Sequence, residues 1–283
     1  MSGKEENSAG ETSFLGHLFI LRAHIMRMAL YVAAGAVVAF FCDRIIYDGI
    51  IFAPRNPDFP TYRFFCFISE KLSALFGTSL DMCMSPAKFA IQNRELTGQF
   101  NSHMWVSFVS GLIIATPLIV WEIWRFVSPA LTPGEKRSAK GVVFYVSSLF
   151  FAGIAFGYFV IVPMSLNFFA GYHVGVGDEI VNNIELSSYI SSVVNISLAT
   201  GLMFQMPIAI FVLSRMGLVS SSFLKRYRRH AIIVILIISA ILTPPDLMSQ
   251  IILALPTLLL YQASIAICKR IEKERAAAEA SAA

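Results

Sequence analysis

One carboxylate, Glu135, stands among Lys136, Arg137 and Lys140 at the end of the stretch WEIWRFVSPALTPGEKR, residues 121 to 137. Trp121, Trp124 and Phe126 lead into a Ser128-Pro129 turn before it, and a second carboxylate, Glu122, lies one helical turn ahead of Phe126. Such a surface suits a basic peptide. A guanidinium makes bidentate bonds to a carboxylate, and charge-assisted bonds of this type contribute about 1.5–3 kcal/mol each. Lysine keeps the charge and loses the fork. Catalytic chemistry finds no motif: H-E-x-x-H, C-x-x-C, G-x-S-x-G and a Walker loop are all absent from the sequence, and Gly175-Val176-Gly177 lacks the flanking strand and helix of a nucleotide fingerprint. The five histidines are scattered singly. The expectation is a non-enzyme with no cofactor and no metal site.

The elements that must position this stretch are membrane spans. Apolar residues make up 56% of the 283, Phe alone fills 24 positions, and the mean hydropathy is +0.67, beyond what a soluble core requires. Apolar cores fall near 25–47, 102–124, 142–166, 190–213, 230–243 and 249–267. The fold class expected is all-α: a polytopic bundle of six transmembrane helices, bent and concave, with the last two short. The net charge of +4 is read by location and not as a field for nucleic acid. Basic clusters precede the first span and follow the second, fourth and sixth, while the second outer loop holds only Asp178, Glu179 and Glu185. Both termini are therefore expected in the cytoplasm. No cleavable signal peptide is expected, because Glu5, Glu6 and Glu11 precede the first span and no A-x-A site closes it.

The chain reads as a single membrane domain over 1–283, with a cytoplasmic segment at 1–24, a first periplasmic loop at 48–101 and a cytoplasmic tail at 269–283. Pro54, Pro57, Pro60 and Pro86 break that loop into short pieces that cap the outer face. Cys66 and Cys83 both fall in it, where an oxidising periplasm permits a bridge, though sequence does not supply the distance between their α-carbons. Cys42 and Cys268 lie in or near apolar spans and are expected to be inert. Between the last two spans, Thr243-Pro244-Pro245-Asp246 ends one helix and places a carboxylate at the start of the next. A dozen residues from Ala231 to Leu242 make about 18 Å of helix against a hydrocarbon core of about 30 Å. Either this hairpin thins the bilayer or its neighbours shield a tight turn.

Polar groups inside the spans are few: Asn195, Ser197, Thr200 and Gln205, with Pro207 after them, and Gln262 in the last. Each reads by default as interhelical glue; Gln205 beside a helix-bending proline alternatively faces a partner helix or a wet cavity. Gly153 and Gly157 form a G-x-x-x-G pair suited to close packing. No charge lies in the middle of a span, which weakens the reading of an ion or small-solute carrier.

Four stretches make the chain resemble the TatC family, the signal-peptide receptor subunit of the twin-arginine protein translocase. They are His17-Leu-Phe-Ile-Leu-Arg22, Phe126-Val-Ser-Pro-Ala-Leu131 through Glu135, Phe204-Gln-Met-Pro207, and Leu242-Thr-Pro-Pro-Asp-Leu-Met-Ser-Gln250, within a likeness running from about His17 to Arg270. The resemblance implies a receptor that binds consecutive arginines at the cytoplasmic face. With TatA-type single-span partners, and TatB where it exists, it would export folded proteins on the proton-motive force, assembled in several copies. It implies signal-peptide binding by Glu135, Phe126, Arg22, Leu131, Pro129 and Glu122; a side formed by Gln205, Pro207, Asp246 and Gln262 facing a partner helix or cavity; and structural roles for Pro54, Pro244 and Pro245. Two positions depart from the family pattern. Ile20 replaces the usual carboxylate before the first span, so Glu135 acts alone or Glu122 compensates, unless Glu122 merely pairs with Arg125. Gln205 replaces the usual membrane glutamate and cannot titrate. The alternatives kept are a small-solute or ion carrier and an insertase for unfolded membrane proteins.

Overall fold

A computed structural model describes residues 5–76, 83, 89–128, 141–172 and 183–282. Helix α1 is Glu5–Phe41 and α2 is Pro60–Phe76. After strand β1, Ala90–Gln92, comes α3, Gly98–Val127. Helix α4 covers Val142–Gly171 with a π-helical turn at Gly157–Ile161. Strand β2, Asn183–Glu185, leads to α5, Leu186–Met203, and α6, Met206–Arg215. Last come α7, Ser221–Arg226, α8, Arg228–Leu242, and α9, Leu247–Ala282.

Among the described residues, five stretches of helix are long and apolar enough to cross a membrane: Phe19–Phe41, Gly98–Phe126, Val142–Gly171, Leu186–Arg215 and Leu247–Glu274. The sixth expected span is α8, whose 15 residues extend about 22 Å, short of the usual hydrocarbon thickness. The last apolar core is carried on a longer helix than the sequence suggests, because its continuation KRIEKERAAAEA consists of strong helix formers. The all-α reading holds apart from a three-residue parallel ladder, Ala90–Gln92 against Asn183–Glu185, which ties the first outer segment to the second.

The chain gathers into two compact units, Met1–Ile46 with Phe100–Ser148, and Tyr47–Gln99 with Leu149–Ala283. In the first, α1 and α3 run antiparallel. They approach closely at Gly35 and Gly111, where a methyl on Gly111 would meet the Ala36 Cα at 2.7 Å and the Val32 carbonyl at 2.8 Å. Only glycine fits. Toward the other end His103 stacks on Phe40, centroids 4.2 Å apart, and its ring nitrogen reaches the Phe40 carbonyl at 3.1 Å.

In the second unit, Gly153 and Gly157 of α4 meet α5 as their spacing predicts. A methyl on Gly153 would sit 2.9 Å from the Gly201 Cα, and one on Gly157 would sit 2.9 Å from the Thr200 Cβ. The turn after α1 is held by phenols. Tyr158 donates to the Ile50 carbonyl at 2.7 Å, Tyr189 to Ile51 at 2.8 Å and Tyr62 to Pro54 at 2.9 Å. These carbonyls belong to a π turn and a short 3-10 turn, Tyr47–Ile51 and Ala53–Arg55, so no longer helix supplies their donors. Pro54 is buried there. A proline also frees a carbonyl in α4: Pro163 has no N–H for Phe159, four residues back, and the Thr61 hydroxyl donates to it instead. Cys66 and Cys83 are joined in a disulfide, so the bridge the sequence left open is made.

The fourth span is broken. Pro207 lacks the N–H that would serve Met203, and the chain passes through Phe204 and Gln205 with Gln205 N–H on the Leu202 carbonyl at 3.0 Å before α6 starts. Helix α6 ends in a Schellman motif: Gly217, at φ +77, donates to Ser214 and Leu218 to Leu213, each at 3.0 Å. The polar segment beyond it is anchored to α9. Glu272 accepts from the Ser221 N–H at 2.6 Å and its hydroxyl at 2.5 Å, and Arg215 pairs with Glu274 at 3.0 Å. Cys268 is free and fully buried.

Two outcomes are expected. Gly111→Val forces α1 and α3 apart and costs about 1–3 kcal/mol, read by unfolding in mixed micelles, whereas Gly49→Ala, with nothing within 4 Å, leaves the midpoint unchanged. Tyr62→Phe leaves the Pro54 carbonyl without its donor and costs about 1–3 kcal/mol. Burial pushes the Tyr62 phenol from its ordinary value near 10 up to about 12. The unfolded chain therefore loses this proton first, and Tyr62's share of stability, full below pH 10, fades between 10 and 12. An alkaline unfolding titration shows a shallower decline in the Phe variant.

Candidate functional site

His24, Arg27 and Tyr31 are spaced three and four residues apart on α1 and so share one face. Glu122 and Phe126 likewise share a face of α3. The two faces meet. Glu122 is 2% exposed and His24 8%, and the Glu122 carboxylate takes His24 Nδ1 at 2.5 Å and stands 3.9 Å from Arg27 through the same oxygen, Oε2. Its other oxygen accepts from the Tyr31 hydroxyl at 3.3 Å. Three groups on α1 thus converge on one carboxylate of α3.

Phe126 sits one turn further along and meets His24 edge-on, centroids 5.7 Å apart at 69°. Its ring is half-buried, whereas Arg22 and Arg125 are exposed. The surface beside them is apolar, with Phe19 and Ile20 more than half exposed. An aromatic wall with exposed cations and a buried, compensated acid can receive an extended peptide; the acid that would face a guanidinium must come from elsewhere. Glu135, Pro129 and Leu131 lie outside the described residues, which stop at Ser128 and resume at Gly141.

The remaining expected positions fall in the second unit. Gln205 is half-buried at the break between α5 and α6, and Pro207 is buried just after it. Gln262 is exposed on α9. Asp246 caps α9, accepting the Ser249 N–H at 2.7 Å through Oδ2, as its place after Pro244-Pro245 predicts. Gln250 reaches back to the Leu236 carbonyl at 3.2 Å, near the end of α8. Sequence reasoning passed over His24 as one of five lone histidines and gave Arg27 no place in the site. The available signal was the i, i+3, i+7 spacing of His24, Arg27 and Tyr31, which puts polar groups in line at a span's end.

A family model described as Sec-independent protein translocase protein (TatC) matches residues 16–256. The Sec-independent protein translocase protein TatC of Blattabacterium sp. subsp. Periplaneta americana is 34% identical over 271 residues, 95% of this chain and all of that protein. The protein of the same description from Desulforapulum autotrophicum is 32% identical across the whole of this chain and 92% of its own length. Two crystal structures of the twin arginine translocase receptor TatC superpose with TM-scores of 0.61 and 0.66. They are 28% and 27% identical and cover 90% and 88% of this chain, and 99% and 97% of their own. On sequence and on fold alike, the chain belongs to the TatC family of protein translocase subunits.

Proposed function

We propose that this chain is the signal-peptide receptor of a twin-arginine translocase, with the rim at His24, Glu122 and Phe126 on the cytoplasmic side and both termini in the cytoplasm. The observation that carries the reading is Phe126. It stands half-buried against α1 at the end of α3, directly ahead of the segment whose residues match the family's arginine-binding stretch. Glu135 takes the guanidinium groups, Phe126, Pro129 and Leu131 line the path of the peptide, and Arg22 shapes its entry. Planar, bidentate bonding favours arginine over lysine at equal charge.

The second unit serves the partners. Gln262 is exposed on a membrane-spanning helix, and Gln205 and Asp246 mark helix ends where backbone groups need donors and acceptors. A single-span TatA-type helix, or TatB where one exists, packs against that side, several copies of the receptor assemble together, and the proton-motive force drives folded cargo across. The short α8 and the Pro244-Pro245 turn favour local thinning of the bilayer. Neither the sequence nor the described residues supply a charged midplane site of the kind a small-solute carrier uses.

A photoreactive residue at position 126 tests the site. A signal peptide with Arg-Arg is expected to label about tenfold or more above its Lys-Lys variant, and Glu135→Ala is expected to abolish the difference. Equal labelling of both peptides would instead indicate an insertase, and labelling of neither would sink the receptor reading.

A further inference from the structure

We propose that Glu122 is a positioning residue: its buried carboxylate locks the ends of α1 and α3 together and so seats Phe126, without itself taking a signal-peptide arginine. The lock rests on geometry alone, while its consequence for binding rests on the receptor reading above.

Three observations carry it. Both oxygens are engaged, one by His24 with Arg27 behind it and the other by Tyr31. An incoming guanidinium would have to displace groups already in place on a residue only 2% exposed, leaving His24 and Tyr31 to find new partners in a poorly solvated site. The carboxylate turns to α1 and not to Arg125, so the local i, i+3 pairing is not its role. The close backbone approach of the two helices at Gly35 and Gly111 lies eleven residues along α1 from His24, about 16 Å away. Apolar faces alone do not hold helix ends together in lipid. The pairing at Glu122 is thus what fixes the angle at which Phe126, edge-on to His24, meets α1. This also accounts for Ile20: a second acid on α3 does not stand in for the missing carboxylate, because it is committed to α1.

The test uses the full chain in liposomes with Cys42 and Cys268 replaced by alanine and spin labels at positions 23 and 125, both exposed. Glu122→Ala and His24→Ala are each expected to broaden the 23–125 distance distribution, while labels at 37 and 108, beside the glycine contact, report no change. Crosslinking from position 126 to the Arg-Arg peptide is expected to fall about tenfold in either variant, with the ratio of Arg-Arg to Lys-Lys labelling preserved. The double variant should be no worse than either single one. Glu122→Gln, which keeps the shape and an acceptor for Tyr31, gives the same pattern in weaker form and serves where the alanine variant does not accumulate. An unchanged 23–125 distance overturns the lock. A collapsed Arg-to-Lys ratio in Glu122→Ala makes Glu122 a ligand instead, and undiminished labelling in His24→Ala overturns the claim that the lock seats Phe126. If the unaltered chain fails to discriminate between the peptides, the receptor reading falls while the distance measurement still decides the lock.

Discussion

In hydrocarbon one apolar helix gains little by exchanging lipid for another apolar helix, so close backbone approach and a few buried polar contacts must set the packing. Both units of this chain obey that constraint, with different means. The first joins α1 to α3 through Gly35 and Gly111 and places polar pairings on either side, Glu122 with His24 and Tyr31 at one end and His103 with the Phe40 carbonyl at the other. The second joins α4 to α5 through Gly153, Gly157 and Gly201 and adds hydroxyl donors where backbone carbonyls lack partners. Glycine brings the backbones close; the polar contact fixes rotation and register.

The same scarcity of water explains where the prolines can be. Each proline inside a span strips a carbonyl of its donor, which is expensive in lipid unless another group replaces it. At Pro163 the replacement is Thr61, a hydroxyl from outside the spans, so a helix irregularity becomes an attachment point for the segment that follows α1. The three phenols on Ile50, Ile51 and Pro54 act alike. At buried Pro54 the backbone carbonyl, which any residue there would supply, is the acceptor for Tyr62.

What could be read from sequence followed from local rules. Hydropathy placed the apolar cores, Gly153 and Gly157 announced close packing by their spacing, Asp246 after two prolines announced a cap, and Cys66 and Cys83 announced a bridge without proving it. The misses were non-local. His24 and Glu122 lie 98 residues apart, and no property of either position names the other. Gly35 and Gly111 sit in different spans without the four-residue repeat that drew notice to Gly153. The parallel ladder pairs two three-residue strands, each too short for an alternating pattern to appear. The break at Gln205 was half legible, since Pro207 was seen to bend the span but not to divide it.

Arg22, Arg27 and Arg125 stand exposed around a single buried carboxylate that His24 and Arg27 already compensate. The described surface beside Phe126 is therefore net positive and by Coulomb's law repels a peptide carrying two arginines, mildly at the surface and more as water is excluded. Attraction at long range cannot be what selects the arginines. In the receptor reading proposed above, selection comes at short range, where a guanidinium fork meets a carboxylate in a defined plane and gains more than the repulsion costs. A positive rim then sharpens discrimination, because a lysine suffers the same repulsion without the bidentate return. Short-range selection of this kind depends on helices held rigidly, which is the part proposed for the buried carboxylate of Glu122.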